Sequence, residues 1–179
     1  MAEVILFHSV LGLRPGVIAA AERLRAAGHT VHTPDCYDGQ IFHDLGEGTR
    51  KEEALGYREL ARRARESVAG LPDGLVFAGF SLGAVHAEVL AAQRPGALGA
   101  VLMHGAVPVE DLGEYFGVER WPEGVSIMCF GKRARSTADY ENICGVPGSR
   151  RIPGERPQGR PARRADRRNP PPRAAPRPW

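Results

Sequence analysis

The sequence has few cysteines, no long apolar run, and no histidine in its last 75 residues. Its three cysteines, Cys36, Cys129 and Cys144, are widely spaced. They make neither a Cys-x-x-Cys metal pattern nor the dense disulfide framework of a small secreted domain. The apolar run nearest the N-terminus, Val4 to Phe7, is too short for a signal peptide or a membrane span, and no basic segment precedes it. A cytoplasmic location without membrane association is expected. Acidic residues are also scarce at one end. Residues 131–179 hold 4 Asp and Glu against 13 Lys and Arg, a net of +9, whereas residues 1–130 hold 17 against 11, a net of −6. The overall charge of +3 therefore describes neither part. Nine of the fifteen prolines also follow residue 130. The 179 residues suffice for one domain.

What is present centres on Gly79-Phe80-Ser81-Leu82-Gly83, a G-x-S-x-G run. Six serines and 22 glycines in 179 residues give roughly 0.09 chance matches to this pattern, so its context decides. Leu75 to Ala78 before it is an apolar run suited to a buried strand. After it, Leu82, Val85, His86, Val89 and Leu90 share a helical face, and Pro95 ends the pattern. Strand, sharp turn and helix are the setting of a nucleophile elbow. The turn lifts the serine hydroxyl above the sheet edge. It also places the Leu82 amide at a helix N-terminus, where a developing oxyanion is favoured. The competing explanation is an ordinary Gly-rich turn with Ser81 capping the helix.

The rest of the chain alternates strand and helix. Glu3 to His8 reads as a buried first strand. Pro15 opens a helix whose inward stripe is Val17, Ile18, Ala21 and Leu24, closed by Gly28. His29 to Thr33 reads as a second strand ending at Pro34-Asp35. Cys36 to Gly48 reads as a polar loop. Thr49 and Glu52 read as a capping box before one helix carrying Tyr57, Leu60, Ala61, Ala64 and Val68 inward. Its basic face, with Arg58, Arg62, Arg63 and Arg65, is expected to be solvated rather than to bind nucleic acid. Ala100 to His104 is a fourth strand, Val109 to Gly117 a short helix, and Val125 to Phe130 a fifth strand. Such alternation predicts an α/β fold with a doubly wound parallel sheet in strand order 2-1-3-4-5. Its ligand site lies beyond the C-terminal strand ends.

Residues 3 to about 131 resemble the dienelactone hydrolase family of α/β-hydrolases. The resemblance is carried by Leu6-Phe7-His8-Ser9 with Gly12, by Thr33-Pro34-Asp35-Cys36-Tyr37-Asp38-Gly39, and by Ala78 to Ala84. Ala100 to Gly105 and Trp121-Pro122 complete it. It implies a hydrolase of ester or lactone bonds without a cofactor or metal, acting on a small-molecule substrate. Ser81 takes the nucleophile position, where the best-known members have Cys. The amides of Val10 and Leu82 take the oxyanion position. Ser9 stands where those Cys members have a Glu. The family expects an acid just after the fifth strand, but Arg133 stands three residues beyond Phe130. Asp139 is the first carboxylate there and a weak candidate for the acid. The family also expects a histidine near the C-terminus, and none of the six here follows His104. The expectation is an α/β-hydrolase-like domain over residues 1–144, truncated at its C-terminal side and catalytically impaired.

His8, Ser9 and His104 are expected to line the pocket. Either histidine could reach the serine proton, but neither has a visible orienting acid. His86 reads as a packed residue. His29 and His32 with Asp35 suggest a metal site, but strand alternation and the lack of a third clustered ligand argue against one. Asp35 reads as a turn-shaping residue. The segment 145–179 reads as an Arg/Pro-rich disordered tail with too little apolar surface to fold. It would bind nucleic acid or another polyanion only through nonspecific charge. A shifted reading frame relative to an intact relative also accounts for its composition. A noncatalytic small-ligand binder on the same fold is the other functional alternative.

Overall fold

The computed structural model describes residues 1–118 and 120–130. Its five strands are β1 (Glu3–Phe7), β2 (Thr30–His32), β3 (Leu75–Phe80), β4 (Gly99–Met103) and β5 (Ser126–Phe130). They form one parallel sheet in the order β2-β1-β3-β4-β5, as the alternation predicts. In register, Phe7 lies beside Gly79, and Phe80 beside Met103. The chain leaves β1 in one direction to form β2, then crosses back to form β3. Open α/β sheets bind ligands at such a reversal, which here falls at the C-terminal ends of β1 and β3.

Side-chain alternation divides the core. Ile5, Phe7, Leu75, Phe77 and Leu102 pack against α3 (Tyr57–Val68) and α4 (Leu82–Gln93). Val4, Leu6, Val31 and Ala78 face α1 (Pro15–Ala26) through Val17 and Ala21. Ile18, placed in the inward stripe by its spacing, is instead 36% exposed. The α1 stripe is narrower than expected because few side chains of α1 reach the sheet.

Two further expectations are corrected. The helix after the polar loop is two helices, α2 (Leu45–Leu55) and α3, broken at Gly56 with φ of 73°. Helix α2 begins four residues before Thr49, so the capping box does not form. Asp44 caps it instead, accepting a hydrogen bond from the Glu47 amide at 3.1 Å. Gly46 and Gly48 disguise this helix, because glycine is a poor helix former. Gly48 is there for a close approach: a Cβ on it would lie 2.5 Å from the Val10 carbonyl oxygen. Helix α4 differs too. It is buried on all sides rather than along one face, with Gly83, Ala84, His86, Ala87, Glu88, Val89, Leu90 and Ala91 all buried.

The basic face of α3 is neutralised locally. Arg62 pairs with Glu59 and Glu66, and Arg63 with Glu59 and Asp38. Helix α5 (Val109–Phe116) covers the outer side of α4, where Leu112 packs with Val89 and Val118. Among the described residues no helix is long and apolar enough to cross a membrane. Asp139, the boundary at residue 144 and the tail 145–179 lie outside the described residues.

Candidate active site

Ser81 sits between β3 and α4 with φ of 52° and ψ of −113°, a backbone conformation that costs roughly 1–3 kcal/mol for a non-glycine residue. The turn is held on both sides. The Ser81 amide donates to the Met103 carbonyl at 2.8 Å, and the Ser81 carbonyl accepts from the Ala84 amide at 2.9 Å. The flanking glycines are required by contact. A Cβ on Gly79 would lie 2.0 Å from the Gly83 carbonyl oxygen, and one on Gly83 would lie 2.4 Å from the His8 carbonyl oxygen. Strand, elbow and helix therefore close on one another through bare backbone. Ser81 is exposed at the sheet edge. It makes no capping hydrogen bond to α4, so the capping explanation of the serine does not hold.

The Leu82 amide is the first of α4 and has no acceptor within the helix. Val10 is buried in the turn after β1, which closes with Gly12 donating to the Ser9 carbonyl at 3.0 Å. Because Gly83 packs against the carbonyls of Phe7 and His8, this turn lies against the start of α4. The Ser9 hydroxyl is used locally, accepting from the Leu11 amide at 3.2 Å.

His8 and His104 end the two strands that flank β3, and the structure separates them. His8 is 3% exposed. Its Nδ1 lies 2.7 Å from the Ser9 carbonyl oxygen, and its Nε2 accepts from the Cys36 amide at 3.0 Å. That pattern fixes the neutral ring with the proton on Nδ1. Burial lowers its pKa, and its contacts with the Ser9 carbonyl and Asp35 oppose this only partly. The 3.8 Å approach of Asp35 to Nε2 is therefore not an ion pair: that nitrogen carries no proton. Asp35 instead accepts from the amides of Tyr37 and Gly39, the turn-shaping role expected of it. His8 is a structural residue with both nitrogens committed.

His104 is exposed, and no hydrogen bond engages its ring among the described residues. Its φ is 60°, in the left-handed region, and its amide donates to the Phe130 carbonyl at 2.6 Å. Three non-glycine residues among those described have positive φ: Asp38, Ser81 and His104. Two of the three are neighbours at the ends of paired strands. The contact is close: a Cβ on Gly105 would lie 2.6 Å from the Ser81 carbonyl oxygen.

Behind the elbow, α4 carries two buried polar side chains. His86 stacks on Tyr57 with ring centroids 5.9 Å apart, and its Nε2 has no partner among the described residues. Burial, with a smaller contribution from His8, lowers its pKa to about 4, so it is a neutral packed ring, as expected. Glu88 was not anticipated. It is fully buried, and its Oε2 accepts from the Val107 amide at 2.8 Å while Oε1 has no partner among the described residues. Burial raises its pKa to about 8, so near neutral pH it is mostly an uncharged acid. The sequence did carry a signal, since Glu88 is the one charged residue in Leu82–Gln93. His29 and His32 go separate ways, His29 to the Ala2 amide and His32 to Glu3.

Solved structures with this architecture are similar over most of the chain. One named "m3DLH" is 26% identical, with a TM-score of 0.54, over 72% of this chain and 55% of its own. The dienelactone hydrolase-like promiscuous phosphotriesterase P91 from metagenomic libraries is 21% identical, with a TM-score of 0.59, over 79% of this chain and 62% of its own. The putative dienelactone hydrolase of Klebsiella pneumoniae is 17% identical, with a TM-score of 0.52, over 72% of this chain and 60% of its own. The fold is that of a dienelactone hydrolase-like α/β-hydrolase. This chain covers under two thirds of the length of each of those proteins. No family model and no curated protein matches it.

Proposed function

We propose that this protein is a serine-dependent hydrolase of ester or lactone bonds, with turnover in this chain well below that of an enzyme with a complete triad. The single observation behind this reading is Ser81: exposed, strained, and set on a backbone-packed turn at the N-terminus of α4. In the reaction, Ser81 Oγ attacks the substrate carbonyl. The Leu82 and Val10 amides stabilise the oxyanion, and water then hydrolyses the acyl-enzyme. Reduced turnover follows from the lack of a histidine after His104 in the 179 residues and, among the described residues, of a carboxylate oriented on His104. Loss of a triad member typically costs on the order of 10⁴-fold, whereas oxyanion stabilisation and binding retain roughly 10³-fold over water.

The test is a burst experiment with p-nitrophenyl acetate, alongside labelling by a fluorophosphonate. One equivalent of p-nitrophenolate, followed by slow turnover, is expected from the wild type and is lost in Ser81→Ala. An undiminished burst in Ser81→Ala would overturn the reading. P91 is described as a phosphotriesterase, so an aryl dialkyl phosphate is the second substrate class to assay.

A further inference from the structure

We infer that His104 is the general base for Ser81, an inference that rests on the Ser81 reading above. The geometry supplies three independent reasons. First, His104 directly follows Met103, whose carbonyl accepts the Ser81 amide, so the two residues lie side by side at the ends of β3 and β4. Paired strands are about 4.8 Å apart, so an imidazole on one can reach a hydroxyl on the other. Second, the other histidine bordering β3 is spent. His8 uses both ring nitrogens on backbone groups and is buried. The His104 ring is exposed and unengaged among the described residues. Third, the chain holds both Ser81 and His104 at positive φ, and strain in adjacent non-glycine residues marks a site whose geometry is being imposed. The imposing contacts are visible. Phe130 fixes the His104 amide, Gly105 packs on the Ser81 carbonyl, and Glu88 holds the Val107 amide three residues on.

The proton balance is simple. The Ser81 Oγ–H bond breaks and its proton moves to the lone pair of an imidazole nitrogen. Oγ bonds to the acyl carbon, and the carbonyl electron pair moves onto oxygen. When the tetrahedral adduct collapses, the imidazolium returns its proton to the leaving alkoxide. In deacylation the same nitrogen takes a proton from water and returns it to Oγ. No carboxylate orients the ring among the described residues, so this is a dyad, consistent with slow turnover.

The experiment measures the acylation rate of the full chain by p-nitrophenyl acetate in wild type, His104→Asn and His104→Gly. Asparagine and glycine both tolerate positive φ, so the elbow backbone is preserved, and circular dichroism checks the fold. His104→Asn is expected to acylate roughly 10²–10⁴-fold more slowly. His104→Gly is expected to be rescued by added imidazole, with substituted imidazoles rescuing in order of basicity. A structural role would give no such order. Two results overturn the inference: wild-type acylation in His104→Asn, or a folded His104→Gly that imidazole does not accelerate. The Ser81 reading fails separately, when fluorophosphonate leaves Ser81 of the wild type unlabelled.

Discussion

The ends of β1 and β4 border the same serine, and each supplies a histidine, yet they have been built for different ends. At β1 the ring is enclosed. His8 lies edge-on to Tyr37, with centroids 5.0 Å apart, and joins the Ser9 turn to the Cys36 loop through its two nitrogens. At β4 the ring is exposed and the backbone carries the constraint, with φ of 60°. One histidine holds two loops together, and the other stands in an imposed position beside Ser81. The lesson is that proximity to a nucleophile does not identify a base. What a nitrogen is already bonded to does.

Glycine substitutions should break both ends most severely. Gly83→Ala would drive a methyl into the His8 and Phe7 carbonyls, backbone atoms that cannot yield. A loss of about 3 kcal/mol or more is expected in urea unfolding, within the range of overpacked core sites. Gly105→Ala makes the equivalent collision with the Ser81 carbonyl, at 2.6 Å, and should lower the acylation rate along with stability.

Glu88 connects the β4 end to pH. Its folded pKa, about 8, lies above the usual carboxylate value. The stability this acid contributes is therefore complete below the unfolded pKa near 4 and is lost as pH rises through about 8. Up to about 5 kcal/mol is at stake, an upper bound because the buried site can relax. Glu88→Gln keeps the acceptor for Val107 and cannot ionise. It should match wild type near pH 4 and exceed it by several kcal/mol at pH 8 in denaturant titrations. Equal stabilities at both pH values would show that Glu88 ionises as freely as in the unfolded chain. His86 works in the opposite direction. Its pKa, lowered to about 4, makes its contribution complete above the unfolded value near 6.5 and lost as pH falls through 4.

His8→Ala sharpens the contrast between the histidines. It leaves the Ser9 carbonyl and the Cys36 amide without their partner and opens a small cavity, at a cost of about 2–3 kcal/mol. The acylation rate of the folded fraction should stay within a few fold of wild type. A collapse in that rate at unchanged stability would reverse the roles assigned to the two strand ends. The smallest effect is expected at Ile18, where Ile18→Lys should change stability by less than about 0.5 kcal/mol, because the side chain is 36% exposed.

The sheet and its strand order were legible because buried parallel strands are short apolar runs and their crossovers have one hand. The elbow was legible because its glycines answer a contact that any residue with a Cβ would violate. Helix α2 was not, since Gly46 and Gly48 obey the packing of Val10 rather than helix propensity. The wrap-around burial of α4 was hidden because a one-face periodicity ignores small residues such as Ala84, Ala87 and Ala91. The difference between His8 and His104 could not be read at all. Both end apolar runs, and only the Cys36 amide and the left-handed turn at His104 separate them.

Whether Ser81 is a nucleophile is decided by a stopped-flow burst with p-nitrophenyl acetate. Wild type should release close to one equivalent of p-nitrophenolate before a slow steady state, with the acetyl group recovered on the peptide containing Ser81, and Ser81→Ala should release none above buffer. A wild-type protein that shows no burst and carries no acetyl group on Ser81 would rule Ser81 out as the nucleophile.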